Sequence, residues 1–342
     1  MDFISFSIIC VKVLLVFAIT MLTILIMIYA ERRVSAFMQG RLGPNRVGPQ
    51  GLLQPIADGI KFLMKEDIIP ASVDKPIYLL APAMLLIPAL MTFAIIPFGS
   101  DITMFGRKIT LQVADINVGI LYILALTSIG VYGLVLAGWS SNSKYPLIGG
   151  LRSSAQLISY ELAMGLAIVS IVLLAGSLRL NDIISQQQGH FLSWNVFKQP
   201  LAFIIFLTAV YAETNRLPFD FTEAEQELVG GYHTEYSSMK FAMFFMAEYA
   251  NMITGAALTV TLFFGGWDVP FIDEPSMGML GVVLSVAAFI LKTAFFLFLF
   301  IWVRWTFPRF RYDQLMNLGW KVMLPLALFN IFITGGYLAL TI

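Results

Sequence analysis

The sequence predicts an all-α membrane protein, a polytopic bundle of eight spanning helices with one interfacial amphipathic helix. Three observations carry that expectation. Of the 342 residues, 58% are apolar and 12% charged, against roughly a quarter charged in a soluble domain. A water-soluble fold has too little interior to hide so much apolar surface. The apolar residues also run in long blocks, and about 20 helical residues are needed to cross ~30 Å of hydrocarbon at 1.5 Å per residue. Finally, residues 52–65 divide into an apolar and a polar side at helical spacing.

The predicted spans are residues 8–30, 77–97, 116–138, 155–175, about 200–216, 241–264, 279–303 and 322–342, within a single integral-membrane domain covering 1–342. The first block lacks a basic flank and a small-residue cleavage site and is too long for a signal h-region, so it reads as a retained helix. The fifth is the weak one. Only 200–212 is free of charge, a length of about 20 Å, so Glu213 and Arg216 lie inside the bilayer or the helix is short.

Net charge is zero, with 21 basic and 21 acidic residues, which favours neither nucleic acid nor an acidic substrate. Their distribution is informative. The odd-numbered connections hold most of the cations, including Arg32, Arg33, Arg41, Arg46, Lys144, Arg152, Arg304, Arg309 and Arg311. The even-numbered ones hold Arg107, Lys108, Arg179 and Lys198. By the positive-inside rule the odd connections face the cytoplasm, or the matrix of an organelle, and both termini lie opposite. Lys12, near a helix end, reads as a snorkelling side chain.

The single cysteine, Cys10, cannot ligate an iron–sulfur cluster or close an internal disulfide. His190 and His233 fall in connections on opposite sides, so no His pair holds haem within the membrane, and no metal site is expected. Phosphate-loop and nucleophile-elbow patterns are missing, and internal repeats do not stand out. If the chain serves a redox system, its electrons come from a partner. The stretch around Gln186-Gln187-Gln188 reads as a solvated loop.

Two regions carry functional signals. In the first connection, Gly40–Gly51 is dense in turn formers. Beyond it, Leu52, Leu53, Ile56, Ile60, Leu63 and Met64 share one helical side while Gln54, Asp58, Lys61 and Lys65 take the other, with Pro55 in the first turn. That describes a helix lying where headgroups meet tails, either packed on the bundle or marking an entrance for a lipid-soluble ligand.

The second signal is charge inside spans, which costs around 2.5–3.5 kcal/mol per residue on insertion scales. Glu161 and Glu248 each lie about 10 Å deep from the cytoplasmic side at 1.5 Å per residue, and Glu213 ends the fifth span. Three carboxylates thus occupy one layer, with Lys292 of the seventh span as the expected cationic partner. The acidic connection 214–240 adds Asp220, Glu223, Glu225, Glu227 and Glu235. Thr222 with Glu225 forms a capping box, which accounts for part of that acidity. A continuous acidic path from the surface to mid-membrane accounts for the rest.

These strings resemble a known family. Ala212-Glu-Thr-Asn-Arg-Leu-Pro-Phe-Asp220, the run ending Glu227-Leu-Val-Gly230 and Met246-Ala-Glu-Tyr249 are similar to the H subunit, a membrane component, of proton-pumping NADH–quinone oxidoreductase, respiratory complex I. Glu31-Arg32-Arg33, Gly43-Pro44-Asn45, Gly51–Pro55 with Ala57-Asp58, Ser159-Tyr160-Glu161 and Pro308–Leu315 match in the same order. The resemblance implies that Glu161, Glu213 and Glu248 belong to a proton path. It implies a quinone chamber near Arg32, Arg41, Asp58, Asp220, Glu223, Glu225 and Glu227, and docking of a partner arm at Arg304, Arg309, Arg311 and Asp313. Quinone is the implied substrate and this chain holds no cofactor, while NADH, FMN and iron–sulfur clusters sit in partner subunits. The implied partners are the peripheral-arm iron–sulfur and quinone-site subunits, the antiporter-like membrane subunits and membrane lipid. The implied setting is a bacterial inner membrane, with the mitochondrial inner membrane left open. Two rivals remain at this point: the homologous component of a hydrogenase or formate hydrogenlyase complex, and a stand-alone ion-coupled transporter.

Overall fold

The computed structural model describes residues 3–104, 107–221, 228–272 and 277–341. Seven of its helices are long and apolar enough to cross a membrane. In chain order they are α1 (Phe3–Met38), α3 (Lys75–Met91), α4 (Gly119–Ser140), α5 (Lys144–Ala175), α9 (Ser238–Phe263), α10 (Met279–Thr306), and α11 (Tyr312–Asn317) running through a π turn, Leu318–Met323, into α12 (Leu324–Thr341). Between them lie α2 (Gln54–Met64), the short α6 (Leu180–Ser185) and α7 (Asn195–Lys198), and α8 (Pro200–Glu213).

Helix α8 has 14 residues and reaches about 21 Å. The weak fifth block is therefore a short helix, the second of the two expected alternatives. A hairpin, β1 (Ile102–Met104) with β2 (Arg107–Ile109), departs from the all-helical expectation. Several helices outrun their predicted apolar blocks, because polar residues at the ends, including Glu31 and Lys144, continue the helical register.

The most buried helix is α9, which packs against α3, α8 and α10, while α5 contacts α4, α8 and α12. Close approach of α4 and α5 rests on glycine. A Cβ placed on Gly138 would lie 2.5 Å from the Pro146 carbonyl oxygen, well inside van der Waals contact. By contrast α1 is mostly uncovered, its large apolar side chains pointing away from the bundle.

Two expectations need correction. Gln187 is 0% exposed rather than solvated: its amide donates to Ile183 O and Thr261 O, and its oxygen accepts from Asn195 N and Gly265 N. Lys12 is not a free snorkeller, since its ammonium donates to Thr110 Oγ1 and Gln112 O at 3.3 and 3.1 Å.

Candidate functional site

Two long helices and one short one place the buried acids. Glu161 of α5, Glu213 at the last turn of α8 and Glu248 of α9 line one narrow cavity, beside Thr127, Asn215 and Asn251. A second hollow of about 490 Å³ adjoins it and shares Thr127, Glu213 and Asn251. The layer read from the sequence thus converges on one space.

That space exists because α8 stops short. Past Glu213 the chain turns at Asn215, whose φ of 52° is left-handed, a conformation Asn tolerates better than most residues. Carbonyls freed by the break are met by Gln156 of α5, whose amide donates to Ala212 O at 2.8 Å and Phe219 O at 2.9 Å. Such compensation is what allows irregular backbone at membrane depth.

Beside the cavity lies a cluster of four charges. The Arg216 guanidinium donates to both carboxylate oxygens of Glu31 at 2.9 and 2.8 Å and approaches Glu248 at 3.3 Å. Arg304 also donates to Glu31, as does the Tyr249 hydroxyl at 2.7 Å. Arg216 stacks over the Tyr249 ring, 4.3 Å from its centroid. Two cations balance two carboxylates, so the cluster is neutral when all four are charged. Arg suits the bridging place because its planar fork serves two acceptors at once.

Tyr249 is also a wall of the third feature, an apolar cleft of about 1240 Å³ between α1, α2 and α9. Ile24, Ile28, Phe62, Phe245 and Met246 line it, with Arg32 and Asp58 as its charged members. Arg32 donates to Asp58, and Gln54 holds the other carboxylate oxygen at 3.1 Å. Residues Leu52, Ile56, Ile60, Leu63 and Met64 of the α2 region are exposed on the outside of the bundle. A smaller hollow of about 760 Å³ joins Glu31 and Arg32 with Arg41 and Trp305.

A family profile described as NADH dehydrogenase matches residues 11–335. The chain is 56% identical to the H 1 subunit of NADH-quinone oxidoreductase from Geobacter sulfurreducens, over 95% of its own length and 93% of that protein. It is 51% identical to the H 1 subunit from Cytophaga hutchinsonii over 95% of both chains. It is 55% identical to NADH-quinone oxidoreductase subunit 8 of Rhodothermus marinus over 91% of both. The chain belongs to the family of NADH-quinone oxidoreductase H subunits. It is therefore part of an oxidoreductase complex, and the stand-alone transporter reading falls.

Within this family member the remaining expected residues are distributed unevenly. Asp220 accepts from Arg309 at 2.9 Å, and burial pushes its carboxyl up despite the opposing pull of Arg309, Arg304 and Arg216. Of the four residues linked to docking, Arg304 and Arg309 hold internal acids, whereas Arg311 and Asp313 pair at 3.3 Å on the exposed surface. Glu223, Glu225 and Glu227 lie outside the described residues. Among the described residues no group of three or more His, Cys, Asp or Glu could hold a metal ion.

One expectation is overturned. The cation touching Glu248 of that layer is Arg216. Lys292 instead donates to the carbonyls of Phe264, Gly266 and Asp268, at 2.8, 3.1 and 2.7 Å. Glu31 and Tyr249 belong to the site, although sequence reasoning places them only within motifs. The available signal is an acid directly after an apolar block and a tyrosine beside a buried acid.

Proposed function

We propose that this chain walls the quinone chamber of a proton-pumping NADH–quinone oxidoreductase and couples quinone reduction to proton translocation. In this reading α8 counts as the eighth span, α2 lies in the interface, and the odd-numbered connections face the cytoplasm of a bacterium. The peripheral arm, with NADH, FMN and iron–sulfur clusters in its subunits, docks on the Arg311–Asp313 side, and the antiporter-like subunits continue the proton path.

The observation that carries the reading is the unbroken chain of contacts from Tyr249 in the apolar cleft to Glu31, Arg216 and Glu248 at the acid cavity. A cleft lined almost wholly by apolar side chains suits an isoprenoid tail, and a few convergent polar groups suit a quinone head. Reduction of a quinone to a quinol consumes two electrons and two protons. Charge arriving near the cleft acts first on Glu31, which shares Arg216 with Glu248. Any shift of the guanidinium toward one carboxylate weakens its hold on the other. Glu248, Glu213 and Glu161 then exchange protons as a coupled set rather than as separate sites.

The test is quinone-driven acidification of inverted vesicles carrying Glu161→Gln or Glu248→Gln, with complex abundance measured alongside. Gln keeps shape and hydrogen bonding but cannot change charge. Pumping and quinone reduction should fall together by about a hundredfold or more, in the range of a lost proton-transfer group. Normal pumping in both variants would sink the proton-path assignment.

A further inference from the structure

Two of the three cavity acids, Glu161 and Glu213, face hydroxyls on α4. Ser128 Oγ donates to Glu161, and Thr127 lines the same two hollows as Glu213. Each hydroxyl also lies within reach of one backbone carbonyl, that of Leu124: Thr127 Oγ1 at 3.0 Å and Ser128 Oγ at 2.9 Å. Serine and threonine in helices often bond back to such a carbonyl, so that contact alone carries nothing. What the fold adds is two consecutive hydroxyls, roughly 100° apart around one helix, each standing at a different acid from a different neighbouring helix, α5 and α8.

A hydroxyl has one hydrogen and two acceptor lone pairs. When Glu161 is a carboxylate, the Ser128 hydrogen points at it. When Glu161 is protonated, the acid donates to Ser128 Oγ and the serine hydrogen turns to Leu124 O. No buried donor or acceptor is left unmatched in either state, and an unmatched one costs about 1–3 kcal/mol. The same rotation is open to Thr127, which bonds Leu124 O and lines the hollow beside Glu213. We propose that Thr127 and Ser128 are positioning residues that let Glu213 and Glu161 gain and lose protons inside the membrane with both states satisfied.

This rests on the proton-path reading and deepens it. Other groups lining the cavity are Glu248 of α9, with Arg216 behind it, the amides Asn215 and Asn251, and the hydroxyls of Thr214 and Tyr232. Of these hydroxyls, Thr214 donates to Tyr211 O at 3.1 Å, whereas Ser128 donates to Glu161 itself. Conservative exchange should therefore rescue: Ser128→Thr and Thr127→Ser keep a hydroxyl, Ser128→Ala and Thr127→Val do not.

The experiment measures quinone reduction and vesicle acidification by the assembled complex across pH. Ser128→Ala should slow the coupled rate about tenfold, the worth of one hydrogen bond to a charged group. Its pH–rate profile should move to higher pH, because the carboxylate has lost its donor. Ser128→Thr should restore both. In a Glu161→Gln background, Ser128→Ala should add nothing. A full additional loss in that background, or an unshifted profile in Ser128→Ala, overturns the proposal while leaving the acids' role intact. If Glu161→Gln itself pumps normally, the proton-path reading falls, and this proposal with it. Should Ser128→Ala fail to assemble, Thr127→Val with its Glu213→Gln background decides by the same comparison.

Discussion

Replacing Arg216 by Met removes a buried cation while keeping length and bulk. The guanidinium makes two hydrogen bonds to Glu31, at 2.9 and 2.8 Å, and is the contact partner of Glu248 at 3.3 Å. After the change Glu31 retains Arg304 and Tyr249, but Glu248 loses the cation it touches. Removing one partner of a buried pair costs about 3–5 kcal/mol, a factor of ~140 to ~3,700 in the folding equilibrium at ~1.4 kcal/mol per decade. Proton uptake by Glu248 softens this toward the lower figure. Arg216→Lys keeps a charge but loses the fork, and should cost about 1–3 kcal/mol. Complex abundance, NADH–ferricyanide activity and NADH–quinone activity in membranes separate assembly from coupling. Arg216→Met should deplete the assembled complex, Arg216→Lys should assemble and turn over slowly, and Arg216→Met with Glu248→Gln should recover part of the abundance. Normal abundance and turnover in Arg216→Met would refute the bridging role. So would a Lys variant as defective as the Met one.

Asp58→Asn breaks a pair whose arginine is half exposed, worth ~0–1 kcal/mol, so assembly should persist while the KM for quinone rises several-fold; an unchanged KM would remove Asp58 from the cleft mouth. His233 packs against Tyr232, Phe241 and Phe245, and burial lowers its pKa to about 4. The unfolded chain takes up that proton near 6.5 and the folded chain only near 4, so the contribution is complete above pH 6.5. It is lost progressively as pH falls toward 4, at up to ~1.4 kcal/mol per unit. Thermal unfolding of the complex at pH 5 and 7.5, with and without His233→Gln, checks this, and an identical pH dependence in the variant would disprove it. Gly138→Ala should force α4 and α5 apart at the Pro146 carbonyl and cost about 1–3 kcal/mol; wild-type thermal stability would contradict that.

Much of the bundle is legible in the sequence because hydrocarbon imposes length and polarity at once. Runs around α1, α3, α4 and α10 leave few other readings. Depth along a helix is legible too, which is why Glu161, Glu213 and Glu248 are expected in one layer. Direction around the helix axis is harder to read. Lys292 has the right depth for a partner, but its side chain reaches the loop after α9, whereas Arg216 reaches the acids from a break in regular structure. Glu31 escapes sequence reasoning for a related reason. Helix α1 continues beyond its apolar block to Met38, so an acid that reads as the start of a loop is held in register and turned inward. Polar residues of the even connections, such as Gln187, give no sign of burial because their partners are backbone atoms distant in sequence.

The shortness of α8 has a consequence for how the protein is made. Leu201, Phe203, Ile204, Ile205, Phe206, Leu207 and Val210 favour insertion by about 0.3–0.6 kcal/mol each, roughly 3 kcal/mol together, and ionisable Glu213 can offset an amount of that order. A segment so balanced does not enter the bilayer on its own merits. Its unwound end is held by Gln156 of α5, and its acid shares a cavity with residues of α4, α5 and α9. During synthesis α8 is therefore a dependent segment that waits for α9 before its topology is fixed. A nascent chain halted between the two should leave α8 accessible to aqueous labelling reagents. The helix break that makes room for the acids thus also sets the order in which the bundle is built.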